Sequence, residues 1–208
     1  MDTSISINAV VEGSLDEAVV RRLTQYAGID LGLILGKKGK SYILEKIAGL
    51  NSAAGKFLPW FVLLDLDNDE DCAPPAARKW LPSPSQYLCF RIAVREVETW
   101  LLADREKFSD YLGVDRSSIP DNPEIIPDPK GFVVNLAKSS KRRDVRDLIV
   151  PTIESGRKEG RAYTSILSEF VQGVKQAGAW RPDIASNHSD SLRRCIKSLE
   201  DMRERLKK

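Results

Sequence analysis

The fold is decided by a stretch at residues 60–71, which reads WFVLLDLDNDED. Its first half, from Trp60 to Leu64, is uninterrupted apolar sequence, the pattern of a strand buried on both faces in a parallel sheet. Its second half is acidic, with Asp65, Asp67 and Asp69 at alternate positions. We therefore predict a β-strand over residues 60–66 that ends in a group of carboxylates.

Short apolar runs and helical patterns alternate around this strand. Strands are predicted at residues 4–11, 31–35, 60–66 and 87–94, with helices after Ser14, at 41–50 and at 96–103. This order is typical of an α/β fold in which a mostly parallel four-stranded sheet is flanked by helices. Ligands of such sheets bind at the carboxyl ends of the strands.

The start of the first helix has a recognisable capping pattern. Ser14 is a plausible N-cap and Glu17 completes a capping box. The predicted apolar face consists of Leu15, Val19, Val20, Leu23 and Tyr26. The helix is therefore expected to pack one face on the sheet.

The pattern changes beyond Asp104. Four prolines between residues 113 and 129 predict a linker or surface loop, and the chain that follows has helical periodicity up to a well-marked last helix. We predict two parts, an α/β domain at residues 1–104 and a helical, basic C-terminal extension at 105–208 that packs on it.

Composition excludes several classes of protein. Three cysteines without C-x-x-C spacing argue against a disulfide framework and a zinc knuckle, and a single histidine, His188, lies far from any nucleophile elbow. The longest apolar run is far shorter than the roughly 20 residues of a membrane-spanning helix, and the amino terminus lacks the basic start of a signal peptide. We predict a cytoplasmic protein with no membrane association.

Charge is segregated along the chain. Residues 138–161 hold eight basic residues against four acids, and residues 193–208 hold seven against three. These segments predict contacts with the phosphates of a nucleic acid, for which the candidates are Arg142, Arg143, Arg193 and Arg194. Solvated helix surface is the competing interpretation, and the sequence leaves it open.

Acids follow three of the predicted strands: Glu12 the first, Asp65 and Asp67 the third, and the pair at Glu96 and Glu98 the fourth. Carboxylates gathered at strand ends repel one another, so they need a cation to be stable together. A site made of oxygen ligands alone selects Mg²⁺ or Mn²⁺ over zinc.

The distance between Asp16 and Glu12 depends on the local path of the chain. Asp16 comes near Glu12 if the chain bends sharply at Gly13, which has no side chain to obstruct the bend. Ordinary structural roles remain as alternatives. The acids near the start of the first helix could simply interact favourably with the helix dipole. Asp65 and Asp67 could be turn residues, and Glu98 could be an exposed helix acid.

These residues carry a resemblance to a known family. The motif Val11-Glu12-Gly13-x-x-Asp16-Glu17, followed by an apolar strand that ends in Asp65-x-Asp67-x-Asp69, resembles the Toprim domain of topoisomerases, bacterial primases and overcoming-lysogenization-defect (OLD) nucleases. The string AVREVETWLLAD at 93–104 resembles small Toprim-like proteins of bacteria that are often encoded beside ABC-type ATPases, as do the segments Asp128-Pro129-Lys130 and SDSLRRC at 189–195.

The resemblance implies a Toprim-like Rossmannoid fold and a nuclease that hydrolyses phosphodiester bonds of DNA or RNA with Mg²⁺ or Mn²⁺. By residue, it implies Glu12 as metal ligand or general acid/base, Asp65 and Asp67 as metal ligands, Asp16 as a second-metal ligand and Glu98 as a weaker carry-over. Lys130 is the candidate to screen the leaving oxygen, and no tyrosine is marked as a nucleophile, so water is the expected one.

The same resemblance suggests a phage-defence role with an ABC-type ATPase as partner. The sequence leaves the oligomeric state open, a homo-oligomer included. An alternative function is a non-catalytic subunit that docks onto an ATPase or nucleic acid. A phosphatase of the haloacid-dehalogenase type, with Asp65 as nucleophile, fits poorly because its D-x-D-x-[TV] motif belongs on a first strand and position 69 is Asp here.

Overall fold

The structure is a computed structural model that describes residues 5–173 and 179–208. The chain divides into two compact units, Met1–Val94 with Ser191–Lys208, and Arg95–Asp190. The strands are β1 (Ser6–Val11), β2 (Asp30–Gly36), β3 (Trp60–Asp65) and β4 (Leu88–Ala93). The helices are α1 (Ser14–Tyr26), α2 (Lys40–Ala53), α3 (Ala73–Trp80), α4 (Glu98–Leu102), α5 (Arg105–Leu112), α6 (Pro129–Lys138), α7 (Arg143–Ile149), α8 (Tyr163–Gln172), α9 (Pro182–Ala185) and α10 (Asp190–Lys207).

The four strands form one parallel sheet in the order β2-β1-β3-β4. The predicted α/β class is therefore confirmed. β3 is buried along its apolar length, and only its last residue, Asp65, is partly accessible. This is the burial expected for an interior strand covered on both faces.

Helices cover both faces of the sheet because the chain runs from β1 to β2 in one direction and from β2 to β3 in the other. Right-handed crossovers then place α1 and α2 on opposite faces. The α2 face holds a buried cluster that includes Ile43, Ile47, Val62, Leu64 and Phe90. α10 contacts the end of α1, where Arg203 donates from Nη1 to the carbonyl of Ala27, the C-cap residue, at 3.0 Å.

The cap of α1 differs from the predicted one. Gly13, not Ser14, is the N-cap, and its amide donates to Oδ2 of Asp16 at 2.9 Å. Glu17 instead pairs with Arg21 and Lys37. The capping-box prediction was wrong by one residue because the turn at Gly13 lets the Asp16 carboxylate reach back to the helix start. Tyr26, predicted on the buried face, is 44% exposed.

A helix that the sequence did not predict connects β3 to β4. α3 contains Pro74 and Pro75, which read as a loop in the sequence but lie in the first turn of the helix. Proline is tolerated there because the first backbone N–H groups of a helix have no intrahelical partner. α3 supplies Ala76 to the cluster on the α2 face.

The division into units differs from the predicted boundaries at 1–104 and 105–208. The first unit ends at Val94, and it includes almost all of α10. The reason is packing, because α10 buries Leu192, Cys195, Leu199 and Met202. Arg91 on β4 also hydrogen-bonds Ser198 on this helix.

The second unit has its own apolar core and an ion pair whose carboxylate is fully buried. Phe108 and Phe170 meet edge to face with ring centroids 5.3 Å apart. Asp104, 0% exposed, accepts from the backbone N–H, Nε and Nη2 of Arg181, with the last at 2.6 Å. The proline-rich segment at 113–129 forms two 3-10 turns and buries Ile119.

Among the described residues, no helix is both long enough and apolar enough to cross a membrane.

Candidate functional site

The strand order creates a switch point between β1 and β3. β1 connects to β2 on one side, and the chain then returns to β3 on the other side. In open α/β sheets, ligands bind in the crevice that forms outside the carboxyl ends of the two strands at this point. The residues there are Glu12, after β1, and Asp65, at the end of β3.

Glu12 joins these two strand ends directly. Its Oε1 accepts a hydrogen bond of 2.8 Å from the backbone N–H of Asp65, a residue 53 positions later in the chain. The ends of β1 and β3 thus meet within the first unit, as the sequence predicted. The contact that joins them runs from the backbone of Asp65 to the side chain of Glu12.

Burial dominates the protonation of Glu12. Removal from water raises the pKa of this carboxyl from 4.5 to about 7. The amide of Asp65 and the charge of Lys40 oppose the increase, whereas the charges of Asp16 and Asp67 add to it. Glu12, Asp16 and Asp67 therefore influence one another electrostatically, and their predicted role as a shared metal site stays a prediction.

Asp16 has a structural role in this group. It is buried, at 6% exposure, and it accepts the Gly13 amide in the cap of α1. The chain bends at Glu12 and Gly13 between β1 and α1, although Gly13 itself has extended dihedral angles, φ −145° and ψ −174°. The bend that the sequence predicted is present, and the role of Asp16 as a second-metal ligand stays a prediction.

Lys40 is the residue that sequence reasoning missed. Its ammonium lies 2.5 Å from Oδ2 of Asp67 and 2.6 Å from Oδ2 of Asp69, and 3.5 Å from the carbonyl oxygen of Leu66. Lys40 is the first residue of α2, and its side chain is 14% exposed. Its position could have been inferred from the basic turn that directly follows β2, the strand beside β1.

The backbone of Asp67 helps to direct its carboxylate. Asp67 has φ +50°, in the left-handed region, which aspartate adopts more readily than most residues. The Asp67 side chain is half exposed, at 46%. The acidic loop after β3 is therefore accessible to solvent on one side and held by Lys40 on the other.

The acids of this site do not form a ready-made cage for a divalent ion. Within residues 5–173 and 179–208, no group of three or more His, Cys, Asp or Glu side chains is arranged to hold a metal. Mg²⁺, however, is commonly bound by one or two carboxylates together with water and substrate phosphates. By their chemistry, Glu12, Asp65 and Asp67 could supply one or two oxygen ligands in that mode, in which the ion arrives with a phosphate, and the described residues form no preformed cage.

Two further predicted site residues lie in the second unit. Glu98 is 2% exposed, so the interpretation of this residue as an exposed helix acid was wrong. Its Oε1 accepts a hydrogen bond of 3.1 Å from the hydroxyl of Tyr163, whose pKa is raised by burial and by the Glu98 charge. Lys130 places Nζ 3.7 Å from Glu96 and 4.0 Å from Glu98. The assigned roles of Glu98 as metal ligand and Lys130 as catalytic residue stay predictions.

The four predicted nucleic-acid arginines have different environments. Arg142 donates to the carbonyl of Tyr111 at 2.7 Å and to Asp144 at 3.0 Å, so it supports the local structure of the second unit. Arg143 is 86% exposed and pairs with Asp147. Arg193 and Arg194 lie on the exposed side of α10 in the first unit.

Comparison of the chain with protein-family models, with curated proteins and with solved structures gave no match.

Proposed function

We propose that the protein is a divalent-metal-dependent nuclease whose reaction centre lies at the carboxyl ends of β1 and β3. The observation that carries the proposal is the hydrogen bond between Glu12 and the Asp65 amide at the switch point. This contact fixes the partly buried Glu12 carboxylate on the backbone of Asp65 at the edge where α/β sheets bind ligands, and the Lys40–Asp67 pair lies in the loop that follows the same strand.

Each of these residues has a role in phosphodiester hydrolysis. Glu12, with its oriented carboxylate, acts as the general base that accepts a proton from the attacking water. Asp65 and Asp67, with Glu12, would supply the oxygen ligands for Mg²⁺ or Mn²⁺, and the bound ion would polarise the phosphate and lower the pKa of water. Lys40 can turn from Asp67 toward a phosphate oxygen and screen the charge that develops there.

The proposal includes the partners that the sequence suggested. A nucleic acid, DNA or RNA, is the substrate, and the exposed Arg143, Arg193 and Arg194 are candidates for contacts with its phosphates. An ABC-type ATPase is the proposed protein partner in phage defence, and the cytoplasm is the proposed location. The support for these points is the segregation of basic residues and the Toprim-like motifs.

The nuclease proposal is tested with the purified full chain on supercoiled plasmid, single-stranded DNA and RNA in Mg²⁺ or Mn²⁺. We expect cleavage that requires the metal and that falls by at least about a hundredfold in Glu12→Gln and in Asp65→Asn. The matched control is Glu70→Gln, which alters an acid of the same loop that pairs with Lys79.

Thermal melting of every variant separates loss of chemistry from loss of fold. Cleavage by folded Glu12→Gln at the wild-type rate would reject the site. Wild-type protein that binds no Mn²⁺ in calorimetry and leaves all three substrates intact would reject the function.

One observation favours a second candidate, the non-catalytic subunit. Lys40 pairs with both Asp67 and Asp69 and offsets part of their charge, so an internal cation already does part of what a metal would do in this loop. In that case the full chain binds nucleic acid or an ATPase equally well in EDTA and in Mg²⁺. Binding that requires the metal would argue for the nuclease instead.

A further inference from the structure

A second concave site lies in the first unit, away from the acidic strand ends. It is a pocket of about 450 Å³ against the first half of β4, between α3 and α10. Its lining includes Arg78 of α3, Phe90 and Arg91 of β4, and Met202 and Arg205 of α10. The volume falls within the range of pockets that bind small molecules.

The pocket surrounds the free edge of the sheet. β4 is the outermost strand, and the carbonyls of Tyr87 and Ala93 face inward, where they accept from β3. Backbone direction alternates along a strand, so the amide and carbonyl of Phe90 face the open edge. The apolar part of the lining comes from Leu81, Leu88, Phe90 and Met202.

Three guanidinium groups converge on this apolar surface. Arg91 is half-buried and hydrogen-bonds Ser198, while its Nε is buried without a hydrogen-bond partner. Arg205 donates to the carbonyl of Gln86. In the described part of the chain, neither of these arginines nor Arg78 has a carboxylate within ion-pair distance.

Among the described residues of the lining, Asp201 is the only one with a carboxylate, and it does not neutralise these charges. Asp201 forms an ion pair of 2.8 Å with Lys197, on the same helix. A positive charge that is partly removed from water is normally paired, because desolvation of an ion is costly. The pocket thus combines an excess of positive charge with an apolar wall and a buried guanidinium N–H.

We propose that this pocket binds a small organic anion, that is, a carboxylate or phosphate group attached to an apolar body of about the size of one ring. The anion pairs with the forked donors of Arg91 and Arg205, a geometry that suits planar or tetrahedral oxyanions. The apolar body packs on Phe90 and Met202. This site is separate from the proposed nuclease centre, which lies at the other end of the strands.

The test is calorimetry on the full chain in EDTA with four probes: phenyl phosphate, benzoate, inorganic phosphate and neutral benzyl alcohol. We expect saturable binding of at least one aromatic anion in the range up to about 10 mM, at least about tenfold weaker binding of inorganic phosphate, and none of benzyl alcohol. The two aromatic anions distinguish a phosphate ligand from a carboxylate ligand.

Substitutions locate the bound anion. Arg91→Gln and Arg205→Gln are each expected to weaken binding by about tenfold. Arg157→Gln, which changes an exposed arginine of the second unit, should have no effect. Arg205 is exposed, so its variant keeps the test valid even if Arg91→Gln fails to fold.

Absence of saturable binding by both aromatic anions would overturn the proposal. Equal affinity of the wild type and a folded Arg205→Gln variant would overturn it too. The use of EDTA keeps these results independent of the metal and of cleavage, so failure of this site and failure of the nuclease centre are distinguishable.

Discussion

Glu12 in the first unit and Asp104 in the second are both carboxylates removed from water, but their partners differ. Asp104 is fully buried and receives three hydrogen bonds from Arg181, so a fixed guanidinium neutralises its charge. Glu12 receives a backbone N–H from Asp65 and has Asp16 and Asp67 as negative neighbours. Its nearby cation, Lys40, pairs with Asp67 and Asp69.

The difference separates a structural acid from a functional one. A buried carboxylate with its own guanidinium contributes to a fixed structure and is not available for other chemistry. A carboxylate whose burial is only partly compensated has a raised pKa and can accept a cation or move a proton. Glu12 has such a raised pKa, and on the proposed function it is the functional acid, so substitutions at the two sites should have different consequences.

The largest expected effect is in the second unit. Arg181→Met leaves Asp104 buried without its guanidinium and should lower the free energy of unfolding by about 3–5 kcal/mol. Urea denaturation measures the change. Arg143→Met, at an exposed pair, is the control and should unfold as the wild type does. An equal loss of stability in the two variants would show that the Arg181–Asp104 pair contributes no more than the exposed Arg143–Asp147 pair.

The next effect concerns the other buried acid of that unit. Tyr163→Phe removes the hydroxyl that donates to Glu98 and should cost about 1–3 kcal/mol, because Glu98 has almost no access to water. Thermal and urea unfolding report it, with Tyr26→Phe, at an exposed ring, as control. An unchanged Tyr163→Phe variant would mean that this hydrogen bond contributes nothing to stability.

The third effect is a change in the affinity of the first unit for Mn²⁺. Lys40→Met removes the ammonium from Asp67 and Asp69 and should increase the affinity for Mn²⁺ by about tenfold, since the acids then lack an internal cation. Calorimetry measures it, and Lys79→Met, at the exposed partner of Glu70, should leave the affinity unchanged. Weaker binding by Lys40→Met would show that the loop acids do not hold the ion.

The smallest effect is the pH dependence of Glu12. Its pKa is about 7 in the folded chain against an ordinary value of 4.5, so the folded state holds the proton more tightly. The contribution of Glu12 to the free energy of unfolding is fully present below the pKa of the unfolded chain, 4.5, and is lost as the pH rises through the folded pKa of about 7. As the pH is raised from about 5 to about 8 in EDTA, the wild type should therefore lose free energy of unfolding that Glu12→Gln keeps.

The gain is on the order of 1 kcal/mol, reduced by the partial exposure of the side chain. Urea denaturation at the two pH values measures it, and the exposed Glu45→Gln should follow the wild type. Parallel pH profiles for wild type and Glu12→Gln would contradict the raised pKa.

Much of the fold follows from local sequence patterns. The apolar run of β3 and the alternation of strands and helices predicted a parallel sheet, because periodicity reports which faces of an element are buried. The helix α3 was missed because Pro74 and Pro75 look like helix breakers until their place in the first turn is known. The cap at Gly13 was missed because it depends on the reach of the Asp16 side chain.

For the site, the sequence by itself determined which acids follow which strands, since the residue order and the strand pattern are local properties. It thus predicted that Glu12 and Asp65 lie at the same edge. The tertiary structure decided that Lys40 pairs with Asp67 and Asp69, that Glu98 is buried against Tyr163, and that α10 belongs to the first unit. These contacts join residues far apart in the chain, and their energies depend on burial and distance, which residue order does not specify.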